Sequence, residues 1–439
     1  MVQFNSISDI LEGVSENGIE YVQFQFSDLD GVFRELDVPA PFLETAFSKG
    51  VPFDNSAGGF AWSAGADVVL KPDPRTFSII DLSEDEKYAR VICELSYLDG
   101  QPFEACPRSA LKTVVRKIFQ AGYTFYVSSA VSFFLLDAGF SAGNMEKSAS
   151  DVTNFKYGND VAVEKVKKEL LHSLFASEID IMSFHRGHEI GQYTVVLKEG
   201  SALRIADNIL TVKQLIQDAA QKFGLHATFM PKPMTSKEGL GMPFTLSLLK
   251  NDINEFYHPD KEMMLSDAAR FFIGGIFKHI RGICAVANPN VNSYKRLVKK
   301  SEAPHYITWS TADRCSLIQI PSSRGRATKI ELRSPDASCN PYLALSLILS
   351  AGISGINEQA MPNNAVNFEN HDYSESEKES YSMGTLPGTF IEAVENFKCD
   401  RFLQDVLGEM LSKGIIQKAD AEWDNYISCV HQWEIDRYL

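Results

Sequence analysis

The order of strand-like and helical segments is the feature of this chain that most restricts its fold. Apolar and polar residues roughly alternate over 19–26, turn residues occupy 28–31, and a second strand-like run ends at Pro39. This pattern predicts a β-hairpin, because one face of each strand is buried and turn residues join the two strands. We expect residues 1–102 to form a small mixed α/β domain.

The rest of the chain, 103–439, contains longer helical and strand-like segments. A helix is predicted after Pro107, with Ser109 near its cap, because apolar residues then recur at helical spacing. The polar stretch 364–382 predicts a surface loop. A strand is predicted over 124–136, and helices are predicted over 160–175, 206–223, 267–287, 341–351 and 389–410. The larger part is therefore predicted to be α+β.

Composition excludes several classes of partner. The net charge of -15 and the pI near 5.1 disfavour nucleic acid, because binding to phosphate backbones requires clustered Lys and Arg. Residues 1–11 have neither the basic start nor the apolar core of a signal peptide, and no apolar run approaches the ~20 residues that span a bilayer. We expect a cytoplasmic protein without a membrane partner. The seven scattered cysteines form no CxxC pair and are assigned no chemistry.

Short segments along nearly the whole chain resemble, in order, landmarks of the type I glutamine synthetases. In the N-terminal part the similar segments are Phe-Ser-Asp-Leu-Asp-Gly (26–31), Phe-Asp-Asn-Ser (53–56) and Leu-Lys-Pro-Asp-Pro-Arg-Thr (70–76). In the larger part they are 227–233, 292–297, 302–304, 329–333 and 340–344. The order of the matches makes coincidence a poor explanation.

The resemblance implies an α+β fold with an N-terminal β-grasp domain followed by a glutamine synthetase-type catalytic domain. It also implies a homo-oligomer of stacked rings, a dodecamer, in which each active site lies between neighbouring subunits. An active homologue of the chain is a further candidate partner in the rings. In the implied reaction ATP phosphorylates the side-chain carboxylate of glutamate, and ammonia or an amine displaces the phosphate. The implied ligands are an amino acid or amine, ATP, and Mg²⁺ or Mn²⁺.

The metal ligands of the family have no full counterpart in this chain. Divalent cations of this kind prefer carboxylate oxygens, and a Glu-x-Glu pair on a strand places both side chains on one face. The resemblance aligns that pair with Ala130 and Ser132, and aligns two further ligands with Thr194 and Pro243. These four side chains cannot supply a carboxylate or an imidazole. Glu189 and Glu331 are the remaining metal candidates, so we expect weak or absent metal binding.

Other roles of the family are carried by residues of the expected type. The resemblance places Asp54 at the ammonium site, Glu302 on the flap that closes it, and Arg314 and Arg333 near the transferred phosphate. It assigns substrate binding to Arg296 and Gly239, and nucleotide binding to Ser247 and Lys329. An alternative interpretation is that the retained charged residues only form ion pairs with each other.

Two positions depart from the family pattern near these residues. Gln319 stands where the family usually has Arg, and Glu238 stands where it prefers Asn. The second change adds a negative charge close to the expected position of an anionic ligand. We therefore expect altered binding of glutamate.

Three hypotheses follow from the sequence. The first is a pseudoenzyme, a glutamine synthetase-like protein that keeps part of the amino-acid and nucleotide cavity but has impaired catalysis. The second is an ATP-dependent glutamate–ammonia or γ-glutamyl–amine ligase with altered metal use or an altered substrate. The third is a structural or regulatory oligomer that needs none of the cavity residues.

Overall fold

The computed structural model describes residues 6–54, 67–83, 86–137, 160–235, 237–298, 301–366 and 373–439. Within these ranges the chain forms a six-stranded sheet near the N-terminus, a ten-stranded sheet in the larger part, and a two-stranded sheet. Helices cover both parts, which confirms the α+β class. None of the helices in the described ranges is long and apolar enough to cross a membrane.

The N-terminal part begins with a capped helix and a hairpin. Helix α1 (Ile7–Glu16) starts at Ser6, which forms a capping box with Asp9. The predicted hairpin is present: strand β1 (Tyr21–Ser27) pairs antiparallel with β2 (Phe33–Pro39). Gly31 in the turn has a φ of +70°, and an added Cβ would lie 2.9 Å from the Cα of Asn340. Only glycine fits this turn, which rests on the larger part of the chain.

The remaining N-terminal elements complete a mixed sheet. Its strands lie in the order β2-β1-β6-β4-β3, and β5 pairs with β6. The β1–β6 pair is parallel, whereas the other pairs are antiparallel. The elements are α2 (Leu43–Lys49), β3 (Val51–Phe53), β4 (Val68–Pro72), β5 (Ser78–Ser83) and β6 (Glu86–Tyr97).

The larger sheet is built around one long strand, β7 (Thr124–Asp137), which covers the predicted strand. Its main path runs β15-β16-β17-β12-β7-β9-β8, with β10 and β11 also on β7 and β13 on β12. The added strands are β8 (Ile181–Arg186), β9 (Gln192–Leu197), β10 (Gly200–Ser201), β11 (Leu225–Thr228), β12 (Phe244–Lys250), β13 (Ile253–Asn254), β15 (Trp309–Ser310), β16 (Ile318–Gln319) and β17 (Ile330–Leu332). The short strands β14 (Tyr306–Ile307) and β18 (Gly384–Thr385) pair with each other.

Helices pack against this sheet and bury its apolar side. The long helices α6 (Asp267–Ala287) and α8 (Pro341–Glu358) pack on each other, and α8 is buried on most of its surface. The helices up to this point are α3 (Pro107–Gln120), α4 (Asp160–Ala176), α5 (Ala202–Lys222), α6 (Asp267–Ala287), α7 (Val291–Arg296) and α8 (Pro341–Glu358).

The C-terminal region differs from the sequence prediction. Residues 389–410 were expected to form one helix, but they contain α10 (Phe390–Cys399), α11 (Arg401–Leu407) and the start of α12 (Glu409–Ser428). Asp400 caps α11 through its side chain, and Gly408, with a φ of +85°, ends α11 and precedes α12. Helix α13 (Gln432–Tyr438) follows and was not predicted.

Two smaller predictions are also wrong. The cap position of α3 is Cys106, with Pro107 in the first turn, so Ser109 lies inside the helix. This fits the preference of proline for the first helical position. The predicted loop at 364–382 contains the short helix α9 (Glu375–Ser380), whose capping box joins Ser374 and Glu377, while 367–372 lie outside the described residues.

A buried arginine connects the two parts of the chain. Arg108, on α3, is 2% exposed. Its guanidinium donates to Asp73 (3.0 Å) and Glu94 (2.9 Å) of the N-terminal sheet region, and to both oxygens of Asp207 on α5 (2.9 Å each). Tyr342 on α8 donates to Asp207 at 2.6 Å. The network therefore joins the small sheet to two helices of the larger part.

The charges in this network favour the ionised form of Asp73. Burial alone would raise the pKa of Asp73, but hydrogen bonds and charge from Arg75 and Arg108 outweigh it and lower the pKa to about 2. A lowered pKa means that the native state binds this proton less readily than the unfolded chain does. The stabilisation is therefore complete above about pH 4 and is lost as the pH falls towards about 2.

We predict that Arg108→Met destabilises the protein by about 3–5 kcal/mol, because it leaves buried carboxylates without their cation. The free energy of unfolding, measured by urea titration, tests this. Arg75→Met is the matched control, because Arg75 also pairs with Asp73 but is 76% exposed. We expect that control to lose less than about 1 kcal/mol. Equal losses in the two variants would contradict the proposed importance of Arg108.

Candidate functional site

A cavity of about 190 Å³ opens at one end of the large sheet. It lies between β7, the segment that leads into β12, the end of α7, and the residues that follow β17. Small, cationic and acidic side chains share its wall. The lining residues are Ala130, Ser132, Glu238, Gly239, Gly241, Pro243, Arg296, Glu302, Ala303, Pro304 and Arg333. Half of the residues that the resemblance assigned to the substrate, nucleotide and metal sites are therefore brought together here.

Strand β7 presents Ala130 and Ser132 to this cavity because residues two apart in a strand share a face. Ser132 lies directly opposite Thr194 of β9. Their hydroxyl oxygens are 2.9 Å apart and hydrogen-bonded, and both residues are buried. The two side chains at these positions, which align with metal ligands, thus satisfy each other's hydrogen-bonding groups. Neither side chain is charged.

Glu189 is held by a lysine and a backbone amide. Lys237 Nζ lies 2.8 Å from one carboxylate oxygen, and the N–H of Glu238 donates to the other at 3.3 Å. The hydrogen bond from Lys237 is the main reason that the pKa of Glu189 lies below its usual range. Sequence reasoning did not identify Lys237 as a partner of this carboxylate.

Glu331 is also paired with a cation of the protein. Arg333 Nη1 lies 2.9 Å from one oxygen of Glu331 and donates to Gln319 at 3.1 Å. Thr245, across the strand pair from Glu331, donates to its other oxygen at 3.4 Å. Glu331 and Arg333 therefore form an ion pair with each other, as the alternative interpretation of the retained charged residues expected.

Arg296 forms part of the cavity wall and is 4% exposed. Its guanidinium donates to the carbonyl oxygens of Ser334 and Pro335. Burial lowers the pKa of Arg296. An added Cβ at Gly239 would lie 2.5 Å from Arg296 Cγ, so glycine is required for the arginine to pack there.

Several polar atoms of the cavity have no partner in the described part of the chain. The Nε atoms of Arg296 and Arg333 are buried without a hydrogen-bond acceptor among the described residues. Glu302 donates its N–H to Glu238 Oε2 at 3.3 Å, and within the described ranges neither carboxylate forms an ion pair. These groups are able to bind a polar ligand.

Seven predicted residues lie outside the cavity lining in a single chain: Glu189, Thr194 and Glu331, described above, and four others. Asp54 is exposed at the end of β3, in the small sheet, and Arg314 is exposed on the turn that follows β15. Ser247 is buried within β12. Lys329 forms an ion pair with Glu199, with 2.5 Å between Nζ and Oε2.

Clusters of metal-binding side chains are absent from the described ranges. No group of three or more His, Cys, Asp and Glu side chains lies close enough there to hold an ion. At the aligned positions, Glu189 and Glu331 are accompanied by hydroxyl groups, a methyl group and a proline ring instead of carboxylates or imidazoles.

Comparisons with known proteins agree with this architecture. The family model "Glutamine synthetase, catalytic domain" matches residues 104–438, and "Glutamine synthetase, beta-Grasp domain" matches residues 18–97. The chain is 38% identical over 436 residues to the glutamine synthetase of Methanosarcina mazei, covering 98% of this chain and 97% of the relative. It is 37% identical over 437 residues to that of Thermotoga maritima, covering 99% of both.

Solved structures show the same fold. An ADP complex of GmaS superimposes with a TM-score of 0.85 at 29% identity and covers 98% of both chains. Plasmodium falciparum glutamine synthetase gives a TM-score of 0.85 at 22% identity, covering 100% of this chain and 99% of the other, and this match concerns the fold alone. The predicted succession of a β-grasp domain and a catalytic domain is confirmed.

We predict that Ser132→Ala costs about 1–3 kcal/mol, because it leaves the buried Thr194 hydroxyl without a partner. Thr194→Val should have a similar effect. The double variant should lose less than the sum of the two, because no unpaired hydroxyl remains in it. Urea unfolding of the four proteins gives the coupling free energy.

Ser183→Ala is the control for this double-mutant cycle, because Ser183 lies on β8, the strand next to β9. Ser183 shares an exposed hydrogen bond of 3.2 Å with His185, and its loss should change stability by less than about 0.5 kcal/mol. Strictly additive losses at Ser132 and Thr194 would show that the two hydroxyls are not coupled.

Proposed function

This chain belongs to the glutamine synthetase family, and from that premise we propose that it is a pseudoenzyme. In this proposal the cavity binds a small amino compound, but the chain does not catalyse the metal-dependent amide-forming reaction that the family resemblance implies. One observation carries the proposal. Each carboxylate that remains at a metal-ligand position is paired with a cation of the protein itself, Glu189 with Lys237 and Glu331 with Arg333.

The donor set supports this proposal on chemical grounds. Mg²⁺ requires near-octahedral coordination by oxygen ligands, and Mn²⁺ also favours oxygen donors. Around Glu189 the aligned positions offer only the Ser132 and Thr194 hydroxyls, which bond to each other. Around Glu331 they offer Ala130 and Pro243, which have no donor side chain. These residues do not fit a divalent cation, so we derive no catalytic step through one.

The charges of the cavity indicate the chemical class of the ligand. Arg296 and Arg333 present cationic surface, whereas Glu238 and Glu302 present carboxylates without an ion-pair partner among the described residues. A ligand with both an ammonium and a carboxylate group complements this wall, because each of its charges then faces an opposite charge. An amino acid has this chemistry, and a simple amine satisfies only the acidic side.

The proposal includes assembly into rings in the cytoplasm. Asp54 lies at the exposed end of β3 and outside the cavity of its own chain. A site shared between neighbouring subunits would explain this distance from the other residues. Co-assembly with an active homologue and a nucleotide at Ser247 and Lys329 are further parts of the proposal, although Lys329 is paired with Glu199.

A ligase with altered chemistry is the second candidate function. It is favoured by Glu302 and Arg333, which both line the cavity although the metal ligands beside them differ from the family pattern. Such an enzyme would use another acid or amine. It would also depend on these two side chains.

We predict no ATP- and Mg²⁺-dependent amide or hydroxamate formation from glutamate with ammonia, hydroxylamine or a panel of amines. Phosphate release and mass spectrometry of the products measure this. Robust turnover would overturn the pseudoenzyme proposal. If turnover is seen, its loss in both Glu302→Ala and Arg333→Ala would support the altered ligase.

A thermal unfolding screen with amino acids, amines and nucleotides complements the activity assay. A ligand that binds only the native state raises the unfolding temperature. A rise that disappears in Glu302→Gln would support a ligand-binding cavity. The absence of any rise would favour the third hypothesis, a purely structural oligomer.

We predict that a rebuilt carboxylate cluster gains metal affinity. The triple variant Ser132→Glu, Thr194→Glu, Lys237→Met adds two carboxylates at the positions that the resemblance groups with Glu189 in one metal site, and it removes the competing ammonium. We expect it to bind Mn²⁺ at least about tenfold more tightly than the natural chain, as measured by calorimetry or by electron paramagnetic resonance.

The matched control replaces both glutamates of that variant with glutamine. Ser132→Gln, Thr194→Gln, Lys237→Met has the same bulk without the added charge, so its affinity for Mn²⁺ should stay low. Two tightly bound Mn²⁺ ions in the natural chain would contradict the explanation based on the donor set.

A further inference from the structure

A second and larger cavity, of about 780 Å³, lies where the N-terminal hairpin meets the larger part of the chain. The β1–β2 turn, α5, β11 and the residues after it, and α12 contribute to its wall. Its volume lies within the range of roughly 300–1,000 Å³ found for small-molecule sites. None of its lining residues was assigned a function from the sequence.

Two lysines of this cavity have an aromatic ring as their neighbour. Lys213 Nζ lies 5.5 Å from the centroid of the Phe229 ring, and Lys295 Nζ lies 5.7 Å from that of Tyr426. All four side chains line the cavity. Neither ammonium group is within ion-pair distance of a carboxylate in the described part of the chain. A ring face compensates an ammonium charge only in part.

The acidic residues of the same cavity are already engaged. Asp30 forms an ion pair with Lys418. Glu422 accepts a hydrogen bond of 3.0 Å from the N–H of Val291, at the start of α7. Glu422 keeps its charge, but three lysines (Lys213, Lys295 and Lys418) outnumber the two carboxylates (Asp30 and Glu422), so the wall has an excess of positive charge.

The negative charges of two further carboxylates, Asp28 and Asp336, oppose from a longer distance the effect of burial on the pKa of Lys213. Asp28 accepts hydrogen bonds from Arg34 (2.9 Å) and from backbone N–H groups, and Asp336 accepts one from Asn288 (2.9 Å). Burial outweighs their charge and lowers the pKa of the half-buried Lys213. An ammonium group that is desolvated without a direct partner is stabilised when an anion approaches it.

We propose that this cavity is a binding site for a small organic anion. Its carboxylate or phosphate group pairs with Lys213 and is also attracted by Lys295, and its apolar part lies against Phe229 and Tyr426. This proposal is independent of the function proposed for the first cavity, because the two cavities have no lining residue in common.

Calorimetric titration with two aromatic anions tests the site. Benzoate carries a carboxylate and phenyl phosphate carries a phosphate, so the two arms separate the two possible head groups. Acetate and inorganic phosphate lack the apolar part and should bind more weakly. All titrations are made at one ionic strength set with sodium chloride, because salt screens exposed charges.

We expect saturable binding of benzoate or phenyl phosphate, weakened at least about tenfold in Lys213→Met and also reduced in Lys295→Met. Lys295 is exposed, so its variant keeps the test valid if Lys213→Met does not fold. Lys250→Met is the matched control and should bind normally, because Lys250 also lies over a ring, that of Tyr123 at 5.0 Å, but outside this cavity.

Three results would overturn the proposal. The first is that neither aromatic anion binds. The second is that binding is unchanged in the lysine variants. The third is that binding is lost in Arg333→Gln, which would place the anion in the first cavity.

Discussion

The buried guanidinium of Arg108 determines how the N-terminal sheet is placed on the rest of the chain. It donates to carboxylates from both sides, and a charge removed from water needs all of these partners. The contact of Gly31 with Asn340 then sets the hairpin turn against α8. The larger cavity depends on this placement because its wall includes the turn itself, whereas the smaller cavity is lined only by residues of the larger part.

Within the proposed function, the protein supplies the charges that a metal ion otherwise provides. Lys237 and Arg333 neutralise the two remaining carboxylates, and a hydroxyl pair replaces carboxylates between β7 and β9. A partly buried carboxylate without a cation is destabilising, so in this proposal Lys237 and Arg333 compensate the two charges that no metal ion neutralises. The arginines and acids of the cavity wall can then persist, because a ligand or the protein balances their charge.

Much of the fold could be predicted because its signals are local. Alternating residues and a glycine turn indicated the β1–β2 hairpin, and the strand predicted over 124–136 is present as β7. The breaks at Asp400 and Gly408 also had local signals, a helix-capping aspartate and a glycine, but helical spacing on both sides concealed them. The family resemblance indicated which residues share a cavity. The domain boundary at residues 102 and 103 stays a prediction.

Partners within the site could not be predicted in the same way. Ser132 and Thr194 are 62 residues apart, and only the register of β7 and β9 places them face to face. This pairing has an evolutionary consequence. Replacing either hydroxyl alone by glutamate would bury a carboxylate against a side chain that cannot neutralise it. Each single step towards a carboxylate pair therefore passes through a less stable intermediate, so the present pair is unlike a site that one mutation at a time could convert into a carboxylate pair.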